Sequence, residues 1–273
     1  MLPRDLLAPF RIIRYSAANA WADMWVMFTP ASWTFGYLSR LLTQVIFFAL
    51  IGVLLDSPDL VRFLFIGNAV VFMAFEAFIS VATTTWERRQ GTLPLLVAAP
   101  LPLWPVFVGR SVQWLPTGLL SSSVALFVLG PFFGVTWRLP QALAVIAALA
   151  VIGVSMYCMA LVFGALVLAA MEMRNMVYNV ATTVMMMICG VMVPLTFWPD
   201  WVGAVANAVP LTHGLAAIRA LAESSAVAPV AGEVVANLLV ALGIGAIWMI
   251  AAAVLLERLA GIGRRSGSIE FAA

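Results

Sequence analysis

The chain contains no lysine; all 14 of its basic residues are arginines. A Walker A P-loop needs its lysine to reach the β- and γ-phosphates of a nucleotide. A conventional P-loop ATPase site is therefore excluded from this chain. Histidine is almost as scarce. His213 stands alone and no Cys-x-x-Cys occurs, so spacing assembles no metal-ligand cluster. The cysteines, Cys158 and Cys189, both lie inside apolar runs and read as small buried hydrophobes rather than a disulfide framework. Charge of either sign is rare too, at 10% of residues, where a soluble domain carries about 25%.

Apolar surface takes the place of charge. Of 273 residues, 64% are hydrophobic, more than the core of a soluble domain absorbs. An all-α polytopic membrane protein follows, because helices satisfy their own backbone groups in lipid. A spanning helix needs about 20 apolar residues. Six runs qualify: 35–55, 61–82, 108–134, 141–170, 176–195 and 233–256. The fourth exceeds what a bilayer needs, which predicts tilt or a protruding end.

Residues 1–30 are too polar for the h-region of a cleavable signal. They read as an interfacial helix. Arg4, Arg11 and Arg14 would sit at headgroup level, with Phe10, Ile13, Trp21, Trp25 and Phe28 at the acyl boundary. Pro30 would end this helix before the first span. The tryptophans at 21, 25, 33, 104, 137, 198 and 201 fall near the proposed interfaces, as an aromatic belt does.

Arginine placement sets an orientation. With the N-terminus inside, Arg4, Arg11, Arg14, Arg40, Arg88, Arg89, Arg110, Arg174, Arg258, Arg264 and Arg265 are cytoplasmic, and Arg62, Arg138 and Arg219 are outside. Six spans then place both termini in the cytoplasm. The tail, 257–273, reads as a mobile cytoplasmic end, with Gly261, Gly263 and Gly267 around Arg264 and Arg265.

The second and third spans are separated by TTTWERRQGTLPLLVAAPLP, residues 83–102. Glu87, Arg88 and Arg89 are adjacent. Gly91 can supply an unusual backbone angle, Thr92 fits an N-cap, and Pro94 fits a first helical turn. Leu93, Leu95, Leu96 and Val97 follow before Pro100 and Pro102. The reading is a short helix below the membrane whose apolar surface needs a partner. A second unusual stretch, VPLTFWPDWVGAVANAVPLTHGLAAIRAL, is apolar but broken by Pro194, Pro199 and Pro210. Its pieces are too short to span and predict short helices in an outer re-entrant segment, 196–232.

These two stretches resemble the signature regions of ABC-2-type transporter permeases. The first carries the family's Glu-Arg pair, Gly-Thr and leucine-rich turn. The second carries Pro194, Trp201, Asn207, Pro210, Leu211 and Arg219 at the family's recurrent outer positions. Pro94 departs from the acidic residue common after Gly-Thr-Leu. The resemblance spans nearly the whole chain as one transmembrane domain: spans one to five within 35–195, span six at 233–256. It implies the permease of an exporter in a bacterial or archaeal plasma membrane. A second permease copy and two separate P-loop ATP-binding subunits would complete it. ATP and Mg would be held by those subunits, and no cofactor by this chain. Glu87, Arg88, Arg89, Gly91, Thr92, Leu93, Leu95 and Leu96 would form the coupling element in a groove of the ATP-binding subunit. The expected cargo is amphipathic: a drug, a lipid or a lipid-linked glycan; nucleic acid is not an expected partner.

Glu76 is the one acid deep in a span. It reads either as a functional group or as a hydrogen-bonded lock on helix packing. It also supports the rival class, an ion-coupled secondary transporter; a membrane scaffold without transport is the other rival. His213 reads as structural. Met185, Met186 and Met187 give an adaptable apolar surface used for packing, and Gly130–Gly134 is a weak small-residue packing signal.

Overall fold

The computed structural model describes residues 7–99 and 101–266. Arg4, Pro100 and Gly267 lie outside them. Twelve α-helices run through the described residues: α1 (Ala8–Met27), α2 (Ser39–Leu54), α3 (Pro58–Thr83), α4 (Trp86–Arg89), α5 (Leu93–Ala98), α6 (Trp104–Ser111), α7 (Trp114–Val124), α8 (Leu139–Ala169), α9 (Arg174–Ile188), α10 (Asp200–Asn207), α11 (Pro210–Glu223) and α12 (Ala231–Ser266). No strand occurs among the described residues.

Helix α3 is the axis of the bundle. Phe65, Phe72 and Phe78 are fully buried on successive faces, as a helix apolar all round requires. Its one buried amide, Asn68, donates to Leu64 O at 2.9 Å within the same helix. Helices α2, α7, α8, α9 and α11 pack around it, and α12 lies outside, against α8 and α11. Gly118 brings α7 so close to α3 that a Cβ there would meet the Glu76 side chain.

Five stretches are long and apolar enough to cross a membrane: Ser32–Leu54, Pro58–Arg89, Trp104–Phe133, Leu139–Leu168 and Ala228–Arg265. The run expected as the fifth span is different. Helix α9 has only 15 residues, about 22 Å at 1.5 Å per residue, and stops at Gly190, whose φ is 80°. Two arginines make up the shortfall. Arg174, at its start, donates to Thr85 just beyond the end of α3. Arg219 donates to Gly190 O and to Phe63 O, near the start of α3. So α9 with its two arginine links covers nearly the length of α3.

The sixth span is longer than the apolar run. Helix α12 continues to Ser266, so residues 257–266 are helical rather than the loose end expected from the glycines. The third span is interrupted. Pro116 cannot donate to the Val112 carbonyl, and the helix breaks between α6 and α7 at Val112–Gln113. The span then relaxes into a π-helical turn at Ala125–Leu129.

The first span begins with a reciprocal cap. Thr29 N donates to Ser32 Oγ at 3.0 Å while Ser32 N donates to Thr29 Oγ1 at 3.1 Å. The helix that precedes it, α1, ends at Met27 as expected from Pro30. It packs on α6 through Ser16, Ala20 and Gly109, where a Cβ on Gly109 would strike Ser16 and the Ile13 carbonyl. Phe10, Trp21 and Trp25 remain exposed, an uncovered aromatic face of the kind an interfacial helix presents to lipid.

Candidate coupling interface

The end of α3 unwinds for a local reason. Ser80, Thr83, Thr84 and Thr85 each turn a hydroxyl back onto the carbonyl three residues earlier. Such bonds compete with the helical ladder. The chain then makes the single turn α4, passes Gly91 at φ 70°, and enters α5. Thr92 sits at the N-cap position, but its hydroxyl does not cap α5. It turns back to the Glu87 carboxylate and carbonyl. The capping role inferred from sequence is therefore wrong: beyond the bend at Gly91 the hydroxyl donates to Glu87 instead of accepting from an N–H of the first turn of α5. Pro94 lies in the first turn of α5, where its missing N–H costs nothing.

Glu87 is buried, although its neighbours in sequence suggest an exposed charge cluster. Its Oε1 accepts from Arg110 Nε at 2.5 Å, and Arg110 Nη1 reaches Asp23 of α1 at 2.7 Å. One guanidinium thus joins α1, α4 and α6, and Thr92 adds α5. Arg88 turns inward as well, donating to Leu168 O at the end of α8 at 2.8 Å. Arg89 and Gln90 stay exposed.

Helix α5 divides its apolar residues. Leu93 and Val97 are fully buried, whereas Leu95 is 72% exposed and Leu96 is half-buried. The inward side is clamped by α12. Arg264 donates to Val97 O at 2.7 Å and to Leu101 O at 3.2 Å, and its Nη2 also reaches Ala99 O. Glu257, two turns earlier, accepts from Leu103 N at 2.6 Å and Trp104 N at 3.3 Å, capping α6. The element is thus wired to α1, α6, α8 and α12, and presents Leu95, Arg89 and Gln90 outward.

Sequence reasoning gave no role to Asp23 or Glu257, and used Arg110 and Arg264 only to orient the chain and mark its tail. Each is an ordinary charge at the end of an apolar run. Only the three-dimensional meeting of distant segments shows what they do.

Glu76 is wholly buried on the α7-facing side of α3. Thr117 donates to its Oε2 at 3.0 Å; the Tyr37 and Ser121 hydroxyls lie near the carboxyl, but its Oε1 and the Ser121 Oγ are buried without a hydrogen-bond partner among the described residues. No arginine lies within ion-pair distance of it among the described residues.

At the opposite end of the bundle, α10 and α11 meet at 90°. The elbow is closed by Thr212, which donates to Ala206 O at 2.6 Å, and by His213 Nε2, 3.0 Å from Asn207 O. His213 is therefore a structural brace. Pro210 starts α11 at a position where no donor is needed. The elbow reaches inward: Trp248, in the middle of α12, donates to Ala208 O at 3.3 Å, and Gly214 lies against Ile152 of α8. This is a re-entrant pair, as the prolines imply. Arg219 stacks on the Phe63 ring at 3.9 Å. Pro194 and Trp201 are exposed.

Of the ten described arginines expected inside the cell, nine belong to the end that carries α4 and α5 and Arg40 lies within the first span, while the three expected outside belong to the end that carries α10 and α11. A search of curated proteins finds no match. The family model for ABC-2 type transporters matches residues 17–222, from within α1 through nearly all of α11, and the chain belongs to that family.

Proposed function

We propose that this chain is the permease subunit of an ATP-driven exporter, with its α4–α5 element seated in a groove of a separate ATP-binding subunit. The observation that carries this reading is the division of α5. One side is tied to the spans through Arg264, Val97 and Leu93, while Leu95 and Arg89 are exposed and their side chains make no hydrogen bond or ion pair among the described residues. An exposed leucine beside an exposed arginine, on an element rigidly joined to the bundle, suits a protein partner that moves. Family membership adds that the chain is a transport membrane component and that ATP is handled by a partner.

In this reading two permeases pair with two ATP-binding subunits, which hold ATP and Mg. Nucleotide binding draws those subunits together and displaces α5. The displacement passes through Arg264 to α12, through Arg110 to α1 and α6, and through Arg88 to α8. Transport is then a population shift between two packings of the spans, driven by differential binding of the partner. The arginine-rich end lies in the cytoplasm, as do both termini, and an amphipathic drug, lipid or lipid-linked glycan leaves past the re-entrant α10–α11 pair.

The test is purification of the full chain from its native membrane under mild detergent. A Walker-motif ATPase is expected to co-purify, and its ATP turnover to depend on this chain. Reproducible purification without such a partner, with the chain still folded, contradicts the reading. Ion-driven flux that depends on Glu76 and needs no ATPase supports a secondary transporter instead.

A further inference from the structure

We propose that a cavity between α1, the start of the first span (π-helical over Ser32–Leu38) and α7 is a loading site for lipophilic cations, with Glu76 as the counter-charge. This names a cargo class and rests on the exporter reading above.

The cavity has a volume of about 280 Å³ and an almost wholly apolar lining, including Trp21, Trp25, Trp33, Phe28 and Thr117. Three of the chain's ten tryptophans thus surround one space. Indole faces attract cations through the ring quadrupole, most strongly where water is excluded. Trp21 and Trp25 are exposed on the uncovered face of α1. The cavity therefore opens toward the surface assigned to the membrane interface, where a lipophilic ion accumulates.

Two of its wall residues lead to the same buried acid. Thr117 lines the cavity and donates its hydroxyl to Glu76 Oε2 at 3.0 Å. Phe28 lines it and packs against Tyr37, with ring centroids 5.9 Å apart, and the Tyr37 hydroxyl lies near the Glu76 carboxyl. The acid thus lies one hydroxyl behind the wall. Arg40 acts on the acid only at a distance and forms no ion pair with it among the described residues. Its guanidinium lies 5.8 Å from the centre of the Tyr37 ring and is exposed. A wholly buried carboxyl with no ion-paired cation gains most from a mobile one, because Coulomb attraction is weakly screened there. A neutral or anionic ligand of equal shape would gain only the indole contacts. A lipid chain would fill the apolar space but make no use of the acid.

The probes are tetraphenylphosphonium and tetraphenylborate, which share size and shape and differ in sign. Their binding is measured by equilibrium dialysis on the full chain in phosphatidylcholine nanodiscs, with partition into empty nanodiscs subtracted. Saturable binding of the phosphonium is expected, with the borate at least about tenfold weaker. Glu76→Gln is expected to remove that discrimination and Glu76→Asp to keep it, while Trp25→Ala weakens both ions. Equal binding of the two probes to the wild-type chain overturns the proposal without any variant. Phosphonium binding unchanged in Glu76→Gln also overturns it. No ATPase enters this measurement. Failure here removes the cation site and leaves the exporter reading intact, and failure to find an ATP-binding partner does the reverse.

Discussion

Replacing Arg110 with leucine is expected to destabilise the chain by about 3–5 kcal/mol, the cost of breaking a buried ion pair by removing one partner. The guanidinium and Glu87 are both largely buried, at 12% and 8% side-chain exposure, and Asp23 shares the same cation. Without Arg110 the Glu87 carboxylate has only the Thr92 hydroxyl, and Asp23 adds a like charge nearby. The loss would appear as a lowered thermal midpoint in detergent. It would fall unequally: α1 and α4 should separate from α6 before the spans unfold, seen as early proteolysis near residues 86–92. The double variant Glu87→Gln with Arg110→Leu should recover part of the loss, because the unpaired charge is then gone. A single variant as stable as the wild type would show that this charge group holds nothing together.

Replacing Arg264 with alanine is expected to free α5 without unfolding the bundle. Its side chain supplies charge-assisted bonds to the carbonyls of Val97 and Leu101, on either side of Ala99 in sequence. Hydrogen bonds to charged groups contribute about 1.5–3 kcal/mol each. Losing even one should raise local opening roughly tenfold to a hundredfold, since about 1.4 kcal/mol is a factor of ten. Hydrogen–deuterium exchange of the amides at 95–99 should rise by that factor, while α3 and α8 stay protected. In the assembled transporter the partner should still hydrolyse ATP, but α12 should no longer respond to nucleotide. Unchanged exchange in this segment would mean that α5 is held by the packing of Leu93 and Val97 alone.

These two residues show where sequence reading stops. The spans were legible because apolar runs of about 20 residues have few alternatives in a chain this poor in charge. The re-entrant segment was legible because Pro194, Pro199 and Pro210 leave pieces too short to cross. Gly91 and Pro94 marked the bend and first turn of α5 correctly, since each acts through its own backbone. Thr92 did not follow its local preference: beyond the bend at Gly91 its hydroxyl donates to the Glu87 carboxylate instead. Glu87 and Arg88 look like solvent charges beside Arg89, yet both turn inward; their partners lie 23 and 80 residues away in sequence. The glycines near the C-terminus suggested a loose end, and α12 nevertheless stays helical to Ser266. There Arg264 and Glu257 hold the α5–α6 connection, contacts that local propensity does not encode. Helix α9 is shorter than its apolar run because Gly190 ends it.

The central claim is that α5 is the surface an ATP-binding subunit grips, and a photo-crosslinking amino acid at single positions of the assembled transporter tests it most directly. From position 95, whose leucine is 72% exposed, the account predicts an adduct with the ATP-binding subunit whose yield changes on nucleotide binding. From position 93, fully buried against the spans, it predicts only adducts within this chain. Partner adducts from neither position, in a complex that still hydrolyses ATP, would contradict it.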